Sequence, residues 1–146
     1  MRIRPMQTGD LDRVAELEAQ IFSDPWSRSS FEFEVKHNRF SFPVVLEKDG
    51  ELVGYAVVWK MFEELHVANI AISPDYQGQG LGEYLLQEIL KDPGICQYAL
   101  LEVRESNYRA IRLYEKYGFK TIMKRLQYYK DGETALVMKK DLIKIS

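Results

Sequence analysis

Residues 42–72 carry three runs of aromatic and β-branched residues, 42–47, 52–59 and 65–72, with connections between them too short to hold a helix. A parallel pair needs a crossover of about a dozen residues or more, so neighbouring runs this close pair antiparallel, as a meander. Lys48-Asp49-Gly50 supplies the first turn, because Asp-Gly accepts the positive φ of a tight hairpin. Residues 61–64 turn the chain again, and Ser73-Pro74 ends the third run. Then the period changes. Leu81, Leu85 and Ile89 with Tyr84 form an apolar stripe, and Glu83, Gln87, Glu88 and Lys91 the opposite face of a helix that stops at Asp92-Pro93-Gly94.

The flanking sequence adds helices and a second group of strands. Leu11, Val14, Leu17 and Ile21 recur at helical spacing over 11–22, with Thr8 or Asp10 as cap. Asp24-Pro25-Trp26 breaks that helix, and a second is expected over about 29–37, with Phe31 and Val35 on one face. Residues 98–103 are almost wholly apolar, as in a central strand covered on both faces. A helix over about 107–117, ended by Gly118, precedes a closing hairpin of 121–129 and 134–140 around Asp131-Gly132. The pattern predicts an α+β fold, a mostly antiparallel central sheet flanked by helices, in one domain over 1–146.

Composition narrows the function classes. The formal charge is −2, from 20 basic and 22 acidic residues, without the basic excess that phosphate neutralisation requires, so no direct nucleic-acid binding is expected. No apolar run approaches the roughly 20 residues of a membrane span, and the N-terminus lacks a signal peptide's apolar stretch. One cysteine, Cys96, excludes an internal disulfide and fits a cytoplasmic location. Cys96, His37 and His66 are too few for a structural zinc site, and no metal is expected.

The densest motif is Ile70-Ala71-Ile72-Ser73-Pro74-Asp75-Tyr76-Gln77-Gly78-Gln79-Gly80-Leu81-Gly82. Glycines let a backbone approach a ligand closely, and a helix start offers unpaired N–H donors at the positive end of its dipole, so the segment suits phosphate or pyrophosphate. Glycines alone also suit a plain strand-to-helix connection. A nucleotide P-loop needs Gly-Lys-Ser/Thr, which is missing, and Glu83 stands where a dinucleotide fingerprint needs its last glycine. Gln77-x-x-Gly80-x-Gly82, after a strand that ends at proline, resembles instead the pyrophosphate signature of the GNAT N-acetyltransferase superfamily. That resemblance implies acetyl-CoA as cosubstrate. It also implies that the Ile70-Ala71-Ile72 strand splays from a parallel neighbour to pair with the pantetheine arm.

Amine acetylation needs a base for the amine and an acid for the departing thiolate. Glu102 interrupts the apolar run 98–103, where a carboxyl group taken out of water becomes a stronger base. The residues alone equally allow a salt bridge to Arg104, two positions along the same strand face. Tyr114 is the candidate acid, since a phenol of pKa about 10 can protonate a thiolate whose thiol sits near about 8.5. Ile111, Tyr114 and Tyr117 could also be a packing face. Asn107 suits a helix N-cap. His66 is a competing base with pKa about 6.5, or a strand histidine with no catalytic part. Cys96 has no adjoining cation to activate it.

Leu101-Glu102-Val103-Arg104, Ser106-Asn107, Leu113-Tyr114-Glu115 and Tyr117-Gly118-Phe119 together resemble the bacterial ribosomal-protein alanine N-acetyltransferases of the RimI type. Pro25-Trp26-Ser27 and Tyr128-Tyr129 fit the same resemblance. It implies Glu102 as proton acceptor, Tyr114 as proton donor and Asn107 as a coenzyme A contact. It further implies coenzyme contacts at Ile70, Ala71 and Ile72 and at Gln77, Gly78, Gln79, Gly80, Leu81, Gly82 and Glu83, with a ribosomal protein N-terminus as acceptor. Departures lie on the acceptor side: Glu133-Thr134-Ala135 stands where Glu-Asp-Ala is frequent, and Gln127 where asparagine is. A lysine side chain, a small-molecule amine, or a non-catalytic acyl-CoA-binding role are the alternatives.

Overall fold

A computed structural model of the protein describes residues 1–142. The chain forms two compact units, Met1–Trp59 with Asn69–Asp92, and Lys60–Ala68 with the chain from Pro93 onward. The strands are β1 (Arg2–Pro5), β2 (Ser41–Lys48), β3 (Glu51–Met61), β4 (Glu64–Ile72), β5 (Tyr98–Arg104), β6 (Lys120–Arg125) and β7 (Ala135–Asp141). They are hydrogen-bonded in the order β1-β2-β3-β4-β5-β7-β6. β1 with β2, β2 with β3, β5 with β7 and β6 with β7 are antiparallel, whereas β4 and β5 are parallel. No helix among the described residues is long and apolar enough to cross a membrane.

The first unit holds α1 (Leu11–Ile21), α2 (Arg28–Lys36) and α3 (Leu81–Leu90). β1 was not expected from the sequence. Four residues with arginine at alternate positions and a final proline carry no strand pattern, and the segment exists because its ladder with β2, from Arg2↔Glu47 to Pro5↔Val44, makes it an edge strand. Arg4 anchors it through Glu47 and, at 2.8 and 2.9 Å, the Asp10 carboxylate. Asp10 stands at the N-cap of α1, one of the two positions expected, but its carboxylate is used elsewhere. Asp10 turns back to accept the backbone N–H of Gln7 and closes the short helical turn Thr8–Asp10, making no side-chain cap bond to α1.

The β2–β3 hairpin turns at Asp49 and Gly50, with φ of 54° and 79°, as Asp-Gly predicted. Ser27 caps α2 by accepting the Ser30 N–H, so that helix starts one residue earlier than expected. α3 packs Leu81 and Leu85 onto Leu46, Val53, Ala56 and Ile72, which fixes the helix against the end of β4.

In the second unit α4 (Tyr108–Lys116) follows β5. β5 is not covered on both faces. Ala99, Leu101 and Val103 are buried while Tyr98, Leu100, Glu102 and Arg104 are partly exposed, an alternation that Leu100, apolar on the open face, conceals in the sequence. The closing hairpin is also shorter than expected. β6 stops at Arg125, opposite Ala135, and residues 126–134 form a loop that contains Tyr128 and Tyr129. Gln127, at φ 52°, turns the chain out of the strand.

Candidate active site

The glycine segment lies in the first unit. Ser73 donates to the Val53 carbonyl at 2.7 Å, and the Gln77 amide donates to the Ile72 carbonyl at 3.1 Å, so the end of β4 and the loop are tied together. Gln79 accepts from Lys48 at 3.0 Å. The loop enters α3 through Gly80, whose φ of 80° suits glycine, and the first intrahelical bond runs from Tyr84 N–H to the Gly80 carbonyl. The preceding N–H groups are those a helix start leaves for a ligand. Gly82 is different: it is helical, and a Cβ there would meet only Ile72 Cγ1 at 3.7 Å, ordinary contact. Nothing in the fold requires glycine at 82.

Glu102, Tyr114 and Asn107 lie in the second unit. The parallel ladder of β4 and β5 runs from Glu64↔Tyr98 to Val67↔Leu101 and sets His66 opposite Leu100, one step before Glu102 on the same face. His66 Nε2 lies 2.7 Å from Glu102 Oε2. The other carboxylate oxygen faces Arg125 at 3.8 Å. Glu102 is therefore partnered across strands, and the expected alternative of a bridge to Arg104 does not form.

Arg104 reaches the other way. Its Nη1 lies 2.9 Å from Glu133 Oε1 and 2.9 and 3.1 Å from the Asp131 oxygens, and its guanidinium sits 4.0 Å from the centre of the Tyr129 ring. Glu133 also accepts the Ser106 N–H at 2.9 Å. The N–H of Glu133 and then Arg104 hold the Asp131 carboxyl below its usual range, while Ser106 and then Arg104 do so for Glu133. Arg125 lies 4.5 Å from the Tyr128 ring centre, and the two tyrosines meet edge to face. Two arginines thus hold the 126–134 loop.

Tyr114 is 9% exposed and packs edge to face with Phe119. Its hydroxyl has no hydrogen-bond partner among the described residues, and burial pushes its pKa up to about 12. Asn107 caps α4, accepting the Ala110 N–H at 3.2 Å. Cys96 is buried, which raises its thiol pKa.

Sequence reasoning missed two buried acids in the first unit. Glu18 accepts from the Tyr55 hydroxyl at 2.7 Å, Asn69 at 3.0 Å and the Trp26 N–H at 3.0 Å. Glu34 accepts from the Trp59 indole and from Asn38, both at 2.8 Å. The signal was spacing. Glu18 falls seven residues after Leu11 on the stripe that α1 buries, and Glu34 three after Phe31 on that of α2.

This fold and glycine-capped helix are those of an acetyltransferase. The pattern of the Acetyltransferase (GNAT) family matches residues 11–119, and the chain belongs to that family. It is an N-acetyltransferase. The ribosomal protein bS18-alanine N-acetyltransferase of Escherichia coli (strain K12) is 35% identical over 142 residues, 93% of this chain and 94% of that one. A Bacillus subtilis (strain 168) protein provisionally named for the same activity is 41% identical over 140 residues, 93% of this chain and 92% of its own. The crystal structure of the ribosomal-protein-S18-alanine N-acetyltransferase from Escherichia coli superposes with a TM-score of 0.90 at 32% identity, covering 99% of this chain and 96% of that one.

Proposed function

We propose that this acetyltransferase carries the acetyl group of acetyl-CoA to the α-amino group of a protein N-terminus, the N-terminal alanine of a ribosomal protein. The observation that carries the reading is the whole-length similarity to relatives named for that reaction. The chemistry favours it as well. An α-amino group has a pKa of about 7.7–8.0 against about 10.4 for lysine, so a single carboxylate suffices to take its proton.

Glu102 accepts the proton of the amine as nitrogen attacks the thioester carbon. The C–N bond forms, the C–S bond breaks, and Tyr114 protonates the departing sulfur; solvent then takes the proton from Glu102 and restores the one on Tyr114. The Tyr114 hydroxyl, without a hydrogen-bond partner among the described residues, and the hydrogen-bonded Glu102 carboxylate support these roles. His66 orients Glu102. The backbone of Ile70, Ala71 and Ile72, at the end of β4, receives the pantetheine arm. Gly78, Gly80 and Gly82, with the backbone of Gln77, Gln79, Leu81 and Glu83, receive the pyrophosphate at the start of α3. Asn107 contacts the coenzyme while it caps α4.

A peptide panel tests the acceptor. Peptides beginning with alanine are expected to be acetylated on the free N-terminus. An N-terminally blocked peptide with an internal lysine is expected to remain unmodified by mass spectrometry. Acetylation mainly on that lysine would assign the enzyme to side-chain amines.

A further inference from the structure

Both tryptophans of the chain, Trp26 and Trp59, line an open recess of about 430 Å³ together with Ser29, Ser30, Phe33 and Glu34. The indole rings face each other at 6.4 Å between centroids, 18° from parallel. Phe33 leaves 53% of its surface in solvent at a position where α2 could as easily present a polar residue. Glu34 is 5% exposed, and its two oxygens accept one hydrogen bond each, from the Trp59 indole and from Asn38. Both donors are neutral. The cations of α2 are committed elsewhere, Arg28 to Asp12 and Glu32, and Lys36 to Glu32. No lysine or arginine pairs with Glu34 among the described residues.

A carboxylate removed from water is costly unless a counter-charge offsets it. Here two neutral donors fix its orientation, and each oxygen keeps acceptor capacity for a further donor. Aromatic faces beside it attract cations through their quadrupoles, tryptophan most strongly. The walls are positioned in advance, because Trp59 is held by Glu34 and the backbone N–H of Trp26 is held by Glu18 at 3.0 Å.

We infer that this recess is a binding site for an organic cation, an alkylammonium or guanidinium group that places its charge against Glu34 and its methylenes against Trp26, Trp59 and Phe33. Such a group occurs on the lysine or arginine side chains of a polypeptide and in free aliphatic amines. The recess is independent of the acetyl-transfer assignment, and its occupation is read without acetyl-CoA.

Because the chain has no other tryptophan, intrinsic fluorescence reports the recess directly. The full chain is titrated with n-butylammonium and with n-butanol, its neutral counterpart, at constant ionic strength. A saturable change is expected with the ammonium, and binding at least about tenfold weaker with the alcohol. Glu34→Gln keeps the shape and an acceptor oxygen for the Trp59 indole, and is expected to weaken ammonium binding by about tenfold or more. Phe33→Ala, at a solvent-exposed position that leaves folding intact, is expected to weaken it several-fold. An equal response to both ligands, or affinity unchanged in Phe33→Ala and in folded Glu34→Gln, would overturn the site. Putrescine and a blocked peptide with one internal lysine then separate the sources: the tighter binder of the two identifies which supplies the cation.

Discussion

His66 Nε2 and Glu102 Oε2 stand 2.7 Å apart, joined across the ladder in which β4 and β5 run in the same direction. A strand alone places Glu102 beside Leu100 and Arg104 on its own face; the parallel register brings the imidazole to it. The contact turns two candidate bases into one hydrogen-bonded pair. Removing each partner then tests which of them takes the proton.

Glu102→Gln keeps the side-chain shape and removes the acceptor, so kcat is expected to fall by roughly 10²–10⁴-fold with acetyl-CoA affinity unchanged. Raising the pH should restore part of the rate, since more of the amine is then neutral unaided. His66→Gln, which can still donate a hydrogen bond to Glu102, should cost much less. A rate-versus-pH series on the two variants decides; a fully active Glu102→Gln beside a dead His66→Gln would move the base to His66.

If Tyr114 protonates the departing sulfur, Tyr114→Phe should slow turnover; it should also change alkaline stability. Burial holds the Tyr114 phenol at about 12 in the fold against about 10 in an unfolded chain, so the folded state keeps this proton over an interval in which the unfolded state has lost it. Stability is therefore unaffected by this group below about pH 10 and falls between about 10 and 12, by about 2–3 kcal/mol in all. Denaturant titrations across that interval should show a shallower loss for Tyr114→Phe. Part of the loss should remain, because burial and then the Glu18 charge also raise the Tyr55 phenol.

The glycine segment separates a backbone need from a ligand need. Gly80→Ala forces an L-residue to φ 80° and should cost about 1 kcal/mol or more of stability, which confounds any loss of cosubstrate binding. Gly82→Ala meets only ordinary contact and should leave the melting temperature unchanged or raise it. If the pyrophosphate lies against this turn, calorimetry should nevertheless show weaker acetyl-CoA binding by Gly82→Ala. Unchanged affinity there would move the pyrophosphate elsewhere.

Arg104→Ala should release the 126–134 loop, because Asp131, Glu133 and the Tyr129 ring all lose their shared cation. Trypsin should then cut after the exposed Lys130 several-fold faster than in the parent protein. Arg104→Lys should restore little of the protection, since an ammonium cannot reproduce the planar fork and ring stacking of a guanidinium.

The amino-acid sequence by itself determined what rests on local chemistry. The meander followed from run lengths and an Asp-Gly turn, the α3 entry from glycines before an amphipathic stripe, and the Asn107 cap from a side chain that bonds within its own turn. Glu102 stood out because a charged residue interrupts an apolar run. Tertiary structure decided what depends on residues distant in the chain. β1 exists only through its pairing with β2, and the carboxylate of Asp10, the N-cap residue of α1, is taken by Arg4 and the Gln7 N–H rather than by the helix. β6 gives way to the 126–134 loop, in which Asp131, Glu133 and Tyr129 are held by Arg104. Glu102 found its partner in His66, 36 residues earlier, because strand register, which no local pattern encodes, decides which side chains on a shared face meet. The same holds for Glu18 and Glu34: helical spacing marks them as buried, but only the fold brings Tyr55, Asn69 and Trp59 close enough to hydrogen-bond them.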